Sequence, residues 1–157
     1  MSDFGEIEGV KVKKLTTHTD DRGNFMEILR SDEGLLSNFG QASISVTLPG
    51  VIKAFHWHKK QDDTFFCISG NAHVVLHDLR KESKTYKKTQ VIYLGDNAEK
   101  KLLIIPHGVA HGYRVLGNTP LVMLYIVSEL YDPKINDEQR IPFDDNEINF
   151  DWTTKNK

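Results

Sequence analysis

A chain of 157 residues with 39% apolar and 27% charged residues has the balance of one globular domain that can bury a core, and excludes a disordered or fibrous protein. A formal net charge of −2 argues against nucleic acid or a membrane surface as a general partner, since either favours a basic face. The single cysteine, Cys67 in "TFFCISG", cannot form an internal disulfide, so a cytoplasmic location and a small buried hydrophobe are expected. No segment has the apolar core of a signal peptide, and no run is long enough to span a bilayer.

In chain order, a polar N-terminal segment, "GVKVKKLTTHTDDRGNF", suits an intersubunit edge better than a buried strand. "SDEGLLSNFG" predicts a short helix opened by Ser31 or Asp32 as N-cap. Then come short apolar runs: "ASISVTL", "VIKAFHW", "TFFCISG", "AHVVLHDL", "TQVIYL", "KLLIIP", "GYRVLG" and "PLVMLYIVSELY". They are rich in Val, Ile, Phe and Tyr, and turn signals such as "LPG", "SGN", "LGDN" and "PHG" separate them. In "AHVVLHDL" the alternation puts His73, Val75 and His77 on one face and Val74, Leu76 and Asp78 on the other. Many short strands at close spacing predict an all-β sandwich or small barrel. The end, "RIPFDDNEINFDWTTKNK", reads as an irregular C-terminal tail lying on the domain and then fraying.

The chemistry concentrates in "GVIKAFHWHKKQDDTFFCISG", where His56 and His58 sit one residue apart and share a strand face. Gly50, His56-x-His58, Asp63 and Gly70 have the spacing of the first cupin motif, with aspartate in the usual glutamate slot. Pro106-x-Gly108-x-x-His111 has the form of the second motif, although Val115 replaces its closing asparagine. The chain therefore resembles a cupin: one domain over residues 1–157, its core at about 40–131, folded as a double-stranded β-helix or jelly roll with the site in the barrel mouth. In a metal cupin His56, His58, Asp63 and His111 would converge on one divalent transition metal. The other histidines, His18, His73, His77 and His107, read as hydrogen-bonded structural groups.

Beyond that spacing, the pieces "DDRGNFMEI", "GVIKAFHW", "VVLHDLRKES", "IPHGVAHGYRVLGNTPLVMLYIVSELYDP" and "FDDNEINFDW" resemble, in the right order, the dTDP-4-dehydrorhamnose 3,5-epimerase family. The resemblance implies an isomerase acting on a nucleoside-diphosphate 4-keto-6-deoxy sugar, without metal or other cofactor. It assigns His56 as general base and Tyr125 as general acid. It gives Arg22, Glu27, Gln41 and Glu138 contacts to the nucleotide, and Tyr131 a stacking role on the base. Lys53 replaces an arginine at the diphosphate end, and His111 lines the pocket. A homodimer with strand exchange near the N-terminus is also implied.

These residue types suit the reaction. The carbonyl of a 4-keto sugar acidifies the hydrogens on C3 and C5, and a neutral imidazole can remove one to leave an enolate. A donor near O4 stabilises that enolate, and a phenol on the opposite face returns a proton with inversion. Three departures from the family lie close to this chemistry. Asp63 stands where the family has a pocket lysine, His58 adds a second histidine, and the sequence stops at Lys157, before the aspartate that orients the family's catalytic histidine. They leave three other readings open: a sugar-nucleotide 3,4-ketoisomerase, the metal cupin, and a catalytically silent sugar-nucleotide binder.

Overall fold

A computed structural model describes residues 6–156. Among them, strands β1 (Lys11–Lys14), β2 (Thr17–Asp20), β3 (Gly23–Met26), β4 (Gln41–Thr47), β5 (Ile52–His58) and β6 (Asp63–Ser69) form the first half. The second half supplies β7 (Asn71–Asp78), β8 (Thr89–Gly95), β9 (Lys101–Ile105), β10 (Val109–Leu116), β11 (Leu121–Val127) and β12 (Glu138–Arg140). Two five-stranded antiparallel sheets result, ordered β1-β9-β6-β11-β4 and β12-β5-β10-β7-β8, while β2 and β3 form a separate hairpin. This is the jelly roll that the cupin motif spacing implies. No helix among the described residues is long and apolar enough to cross a membrane.

The apolar alternation decides which face each strand buries. Phe65 and Cys67 of β6, Val74 and Leu76 of β7, Leu103 of β9, Tyr113 of β10 and Met123 of β11 meet between the sheets in the main core. The opposite faces are covered as well, and this explains why "TFFCISG" is apolar almost throughout. Phe66, Leu102 and Ile104 lie under Leu15, Met26 and Ile28 of the N-terminal segment. Phe55, Val75 and Ala110 lie under Ile148 and Trp152 of the tail. Each large side chain buried this way stabilises the fold by about 1.5–3 kcal/mol.

One local expectation is corrected. The segment after residue 30 forms only one 3-10 turn, Ser31–Glu33, with Arg30 in the N-cap position. Asp32 is paired with the Arg30 guanidinium, and Gly34 at φ 62 ends the turn at once. Just before the tail, strand β12 pairs with β5 so that Glu138 lies opposite His58 and Arg140 opposite His56, and the tail itself runs irregularly over the domain. Trp152 is buried, its indole Nε1–H donating to Phe143 O at 2.9 Å, and Arg114 donates to the Trp152 carbonyl.

Gly112 positions the site directly. Where β10 passes β5, a Cβ on residue 112 would lie 2.3 Å from that of Ala54. A larger residue would push away the strand that carries His56.

Candidate active site

Strand β5 turns Phe55 and Trp57 toward the tail and His56 and His58 toward the space between the sheets. The neighbouring strand β10 places His111 directly opposite His56, with the ring centroids 4.2 Å apart. Asp63, at the start of β6 in the other sheet, reaches into this group. Its Oδ2 lies 2.8 Å from His111 Nε2, 3.4 Å from His58 Nε2 and 3.8 Å from His56 Nε2. Its Oδ1 accepts a hydrogen bond from Gln61 Nε2 at 2.7 Å. One buried carboxylate is thus the hub of three imidazoles.

The charges follow from this packing. Burial alone would raise the Asp63 carboxyl, but its contacts with His111, His56 and His58 outweigh burial and hold it well below the usual carboxylate range. Burial, and then the neighbouring His111, lower the His56 pKa, so His56 is biased toward the neutral imidazole that a base requires. His58 goes the other way. Burial would lower its pKa, yet Asp63, Asp137 and Glu138 together raise it. Asp137 Oδ2 stands 3.3 Å from His58 Nδ1 but outside hydrogen-bonding geometry, so the contact is electrostatic and that nitrogen makes no hydrogen bond. His111 Nδ1 faces the Val109 carbonyl at 2.9 Å; a carbonyl only accepts, so that nitrogen carries the hydrogen.

Tyr125 comes from the other sheet, on β11, in register with Ser43 of β4 and Phe65 of β6. The Phe65 ring meets Tyr125 edge-on at 4.8 Å and His111 at 5.4 Å, and so spaces the phenol from the histidine cluster. The Tyr125 hydroxyl lies 2.7 Å from that of Tyr113, which lies 3.1 Å from Thr47 Oγ1. Burial, followed by the Tyr113 neighbour, raises the Tyr125 pKa above the ordinary phenol value, and the group stays protonated.

His56, His58, Asp63 and Tyr125 line one cavity of about 800 Å³, within the roughly 300–1,000 Å³ range of small-molecule sites. Gln41, Tyr131 and Glu138 line it too. Gln41 Oε1 accepts from the Tyr131 backbone N–H at 2.9 Å, fixing the loop that presents the exposed Tyr131 ring. His111 is fully buried against Asp63 and His56. Lys53 reaches back across the barrel, its Nζ donating to Ser45 Oγ at 3.2 Å. Arg22 and Glu27 are not brought to the cavity of their own chain. Arg22 is exposed at the hairpin and paired with Asp20, and Glu27 lies 3.5 Å from Arg30.

Three residues of the site escaped sequence reasoning: Asp137 beside His58, Gln61 on Asp63, and Tyr113 behind Tyr125. Of the histidines read as structural, His18 is exposed on the β2–β3 hairpin, and the other three have structural partners. His73 stacks on Tyr93, His77 contacts Thr89, and His107 pairs with Asp62. Cys67 is buried, and burial pushes its thiol up to about 11, away from reactivity.

The metal alternative can be set against this geometry. One donor atom each from His56, His58 and Asp63 lie within 4.8 Å of one another. An ion would have to sit at about 2.0–2.2 Å from every donor. The three histidine Nε2 atoms lie 2.8, 3.4 and 3.8 Å from Asp63 Oδ2, and ligands bound about 2.1 Å from one ion stand roughly 3–4 Å apart, so the set has the spacing of an ion-paired cluster and of a metal site alike.

Comparison with known proteins agrees with this architecture. The family model described as dTDP-4-dehydrorhamnose 3,5-epimerase matches residues 5–157. The spore coat polysaccharide biosynthesis protein SpsL of Bacillus subtilis is 58% identical over 149 residues, covering 95% of this chain and 98% of that one. A dTDP-4-dehydrorhamnose 3,5-epimerase of Methanothermobacter thermautotrophicus is 33% identical over 152 residues, 93% of this chain and 80% of the relative. Among solved structures, a dTDP sugar isomerase from Desulfovibrio desulfuricans matches with a TM-score of 0.85 at 29% identity, over 93% of this chain and 92% of that one.

Proposed function

The chain belongs to the dTDP-4-dehydrorhamnose 3,5-epimerase family, and from that premise we propose that its cavity inverts C3, C5 or both of a nucleoside-diphosphate 4-keto-6-deoxyhexose. The family makes it an enzyme of isomerase type, and its relatives connect it with deoxysugar and surface polysaccharide biosynthesis. One observation carries the residue assignment: His56 and Tyr125 line the same cavity from opposite sheets. His56 is the base, biased neutral, and Tyr125 the acid, held protonated. His58, biased toward its cationic form, takes the place of the missing lysine beside the enolate. Asp63 orients the histidines, and no metal is required. Gln41, Tyr131 and Glu138 hold the nucleotide at the rim.

Incubation with dTDP-4-keto-6-deoxyglucose in deuterated water, followed by NMR, tests the reaction. Deuterium enters C3 or C5 with inversion at the same centre. A carbonyl that moves to C3 would instead identify a ketoisomerase, and a sugar left unlabelled would leave only binding.

The sites read in Arg22, Glu27 and Lys53 belong to a homodimer in the cytoplasm. Arg22 and Glu27 lie away from the cavity of their own chain, and a second copy bringing its hairpin to the cavity mouth would supply them. The outward face of edge strand β4 and the residue after it support this partner, because Ile44, Val46 and Leu48 are exposed at 63%, 61% and 64%. Such an unbroken apolar row on an edge strand invites a second chain. Light scattering gives a dimer at micromolar concentration, and Val46→Asp shifts it toward monomer. In the dimer, Arg22→Ala and Lys53→Ala each weaken dTDP binding by about 10–100-fold, the size of one charge-assisted contact. A monomeric wild type, or an unchanged dTDP affinity in both variants, contradicts the assignment.

A further inference from the structure

Tyr113 has a hydrogen-bonding pattern that packing alone does not require. Its ring is part of the main core and is 1% exposed, so its hydroxyl needs a partner. Thr47 Oγ1, itself buried, supplies one at 3.1 Å. Phenylalanine would fill the same apolar space. Yet the hydroxyl makes a second and shorter contact, 2.7 Å, with the hydroxyl of Tyr125. Tyr125 also touches Ser45, which accepts from Lys53. A line of hydroxyls therefore runs from the cavity wall into the core: Tyr125, Tyr113, Thr47. Tyr113 reaches this position because β10 carries it two residues beyond His111, past the register shift between them.

We infer that Tyr113 is a positioning residue for the inversion step, holding the Tyr125 hydroxyl with its hydrogen turned toward the cavity. The inference rests on Tyr125 being the acid. In that step the Tyr125 O–H bond breaks and a C–H bond forms at the sugar carbon. The electron pair comes from the enolate double bond, and the C4 carbonyl is restored. Water entering the cavity returns the proton to Tyr125, and His56 releases to water the proton it took. Before transfer, Tyr113 donating to Tyr125 leaves the Tyr125 hydrogen free to point at the substrate. The contact thus acts only on delivery of the second proton, and removal of the first by His56 does not depend on it.

That separation gives the test. With dTDP-4-keto-6-deoxyglucose in deuterated water, Tyr113→Phe keeps deuterium exchange at the carbon that His56 deprotonates. Inversion slows by about 2–10-fold, the size of one lost hydrogen bond between neutral groups, while KM stays within about twofold of wild type. Tyr125→Phe, run in parallel, abolishes inversion. If Tyr125→Phe inverts normally, the acid assignment falls and the inference with it. If Tyr125→Phe fails to invert but Tyr113→Phe matches wild type, only the role of Tyr113 is overturned. Equal loss of exchange and inversion in Tyr113→Phe overturns it as well, since that is what a general disturbance of the core would do. Should the single variant not fold because Thr47 is left unpaired, Tyr113→Phe/Thr47→Val removes both buried hydroxyls, and the same ratio of exchange to inversion is read.

Discussion

His56→Ala abolishes solvent deuterium uptake at C3 and C5 and leaves dTDP binding near the wild-type level. The two effects separate because the nucleotide contacts assigned to Gln41, Tyr131 and Glu138 lie on elements other than β5, which carries the imidazole proposed as base. Loss of a positioned general base costs about 10²–10⁴ in rate. The dependence of rate on pH checks the same residue. Burial and His111 depress the His56 pKa, and the base works in its neutral form. Activity should therefore persist as the pH falls below the ordinary imidazole range, and decline only when the lowered pKa is crossed. Near-normal exchange in His56→Ala, monitored by NMR, would remove this histidine from the mechanism.

The parts of this site that the sequence discloses are those set by local periodicity. His56 and His58 are two residues apart on a strand, so their shared face follows from the pleat. Val74 and Leu76 go inward and His73 outward for the same reason. What periodicity cannot give is register between strands that are distant in sequence. Tyr113 meets Tyr125 across the gap between the two sheets, and nothing in "HGYRVL" or "MLYIV" encodes that meeting. Asp137 reaches His58 only because the three-residue strand β12 adds to the edge of β5, and three residues are too few to show alternation. Arg22 illustrates a different limit. Its place in "DDRGNF" gives it an expected binding role by resemblance, but one chain leaves it on an exposed hairpin. Sequence order does not say which copy of the chain a residue serves.

Asp63 was the position where the family pattern fits least, since a carboxylate replaces a lysine. The geometry turns that departure into an arrangement of its own. A carboxylate at the meeting point of three imidazoles does two things that a lysine could not: it fixes the direction of their Nε2 atoms, and it supports positive charge on His58. Asp63→Asn keeps the shape and removes the charge. His58 then loses the contact that does most to raise its pKa, and the enolate loses a cationic neighbour. Turnover should fall by about 10²-fold, the scale seen when one electrostatic stabiliser of a developing oxyanion is removed, while dTDP affinity changes little. Circular dichroism should show the fold intact, because the amide can still accept from Gln61 and bond to His111. The metal alternative predicts otherwise. With His56, His58, Asp63 and His111 as ligands, His56 would be tied up and unable to accept a proton, and wild-type activity would depend on the ion. Metal analysis of protein purified without a histidine tag, with activity assayed before and after chelation, separates the two. Full activity after chelation is expected. A stoichiometric transition metal, with activity lost on chelation and restored by the ion, would replace the His56 base with a metal centre.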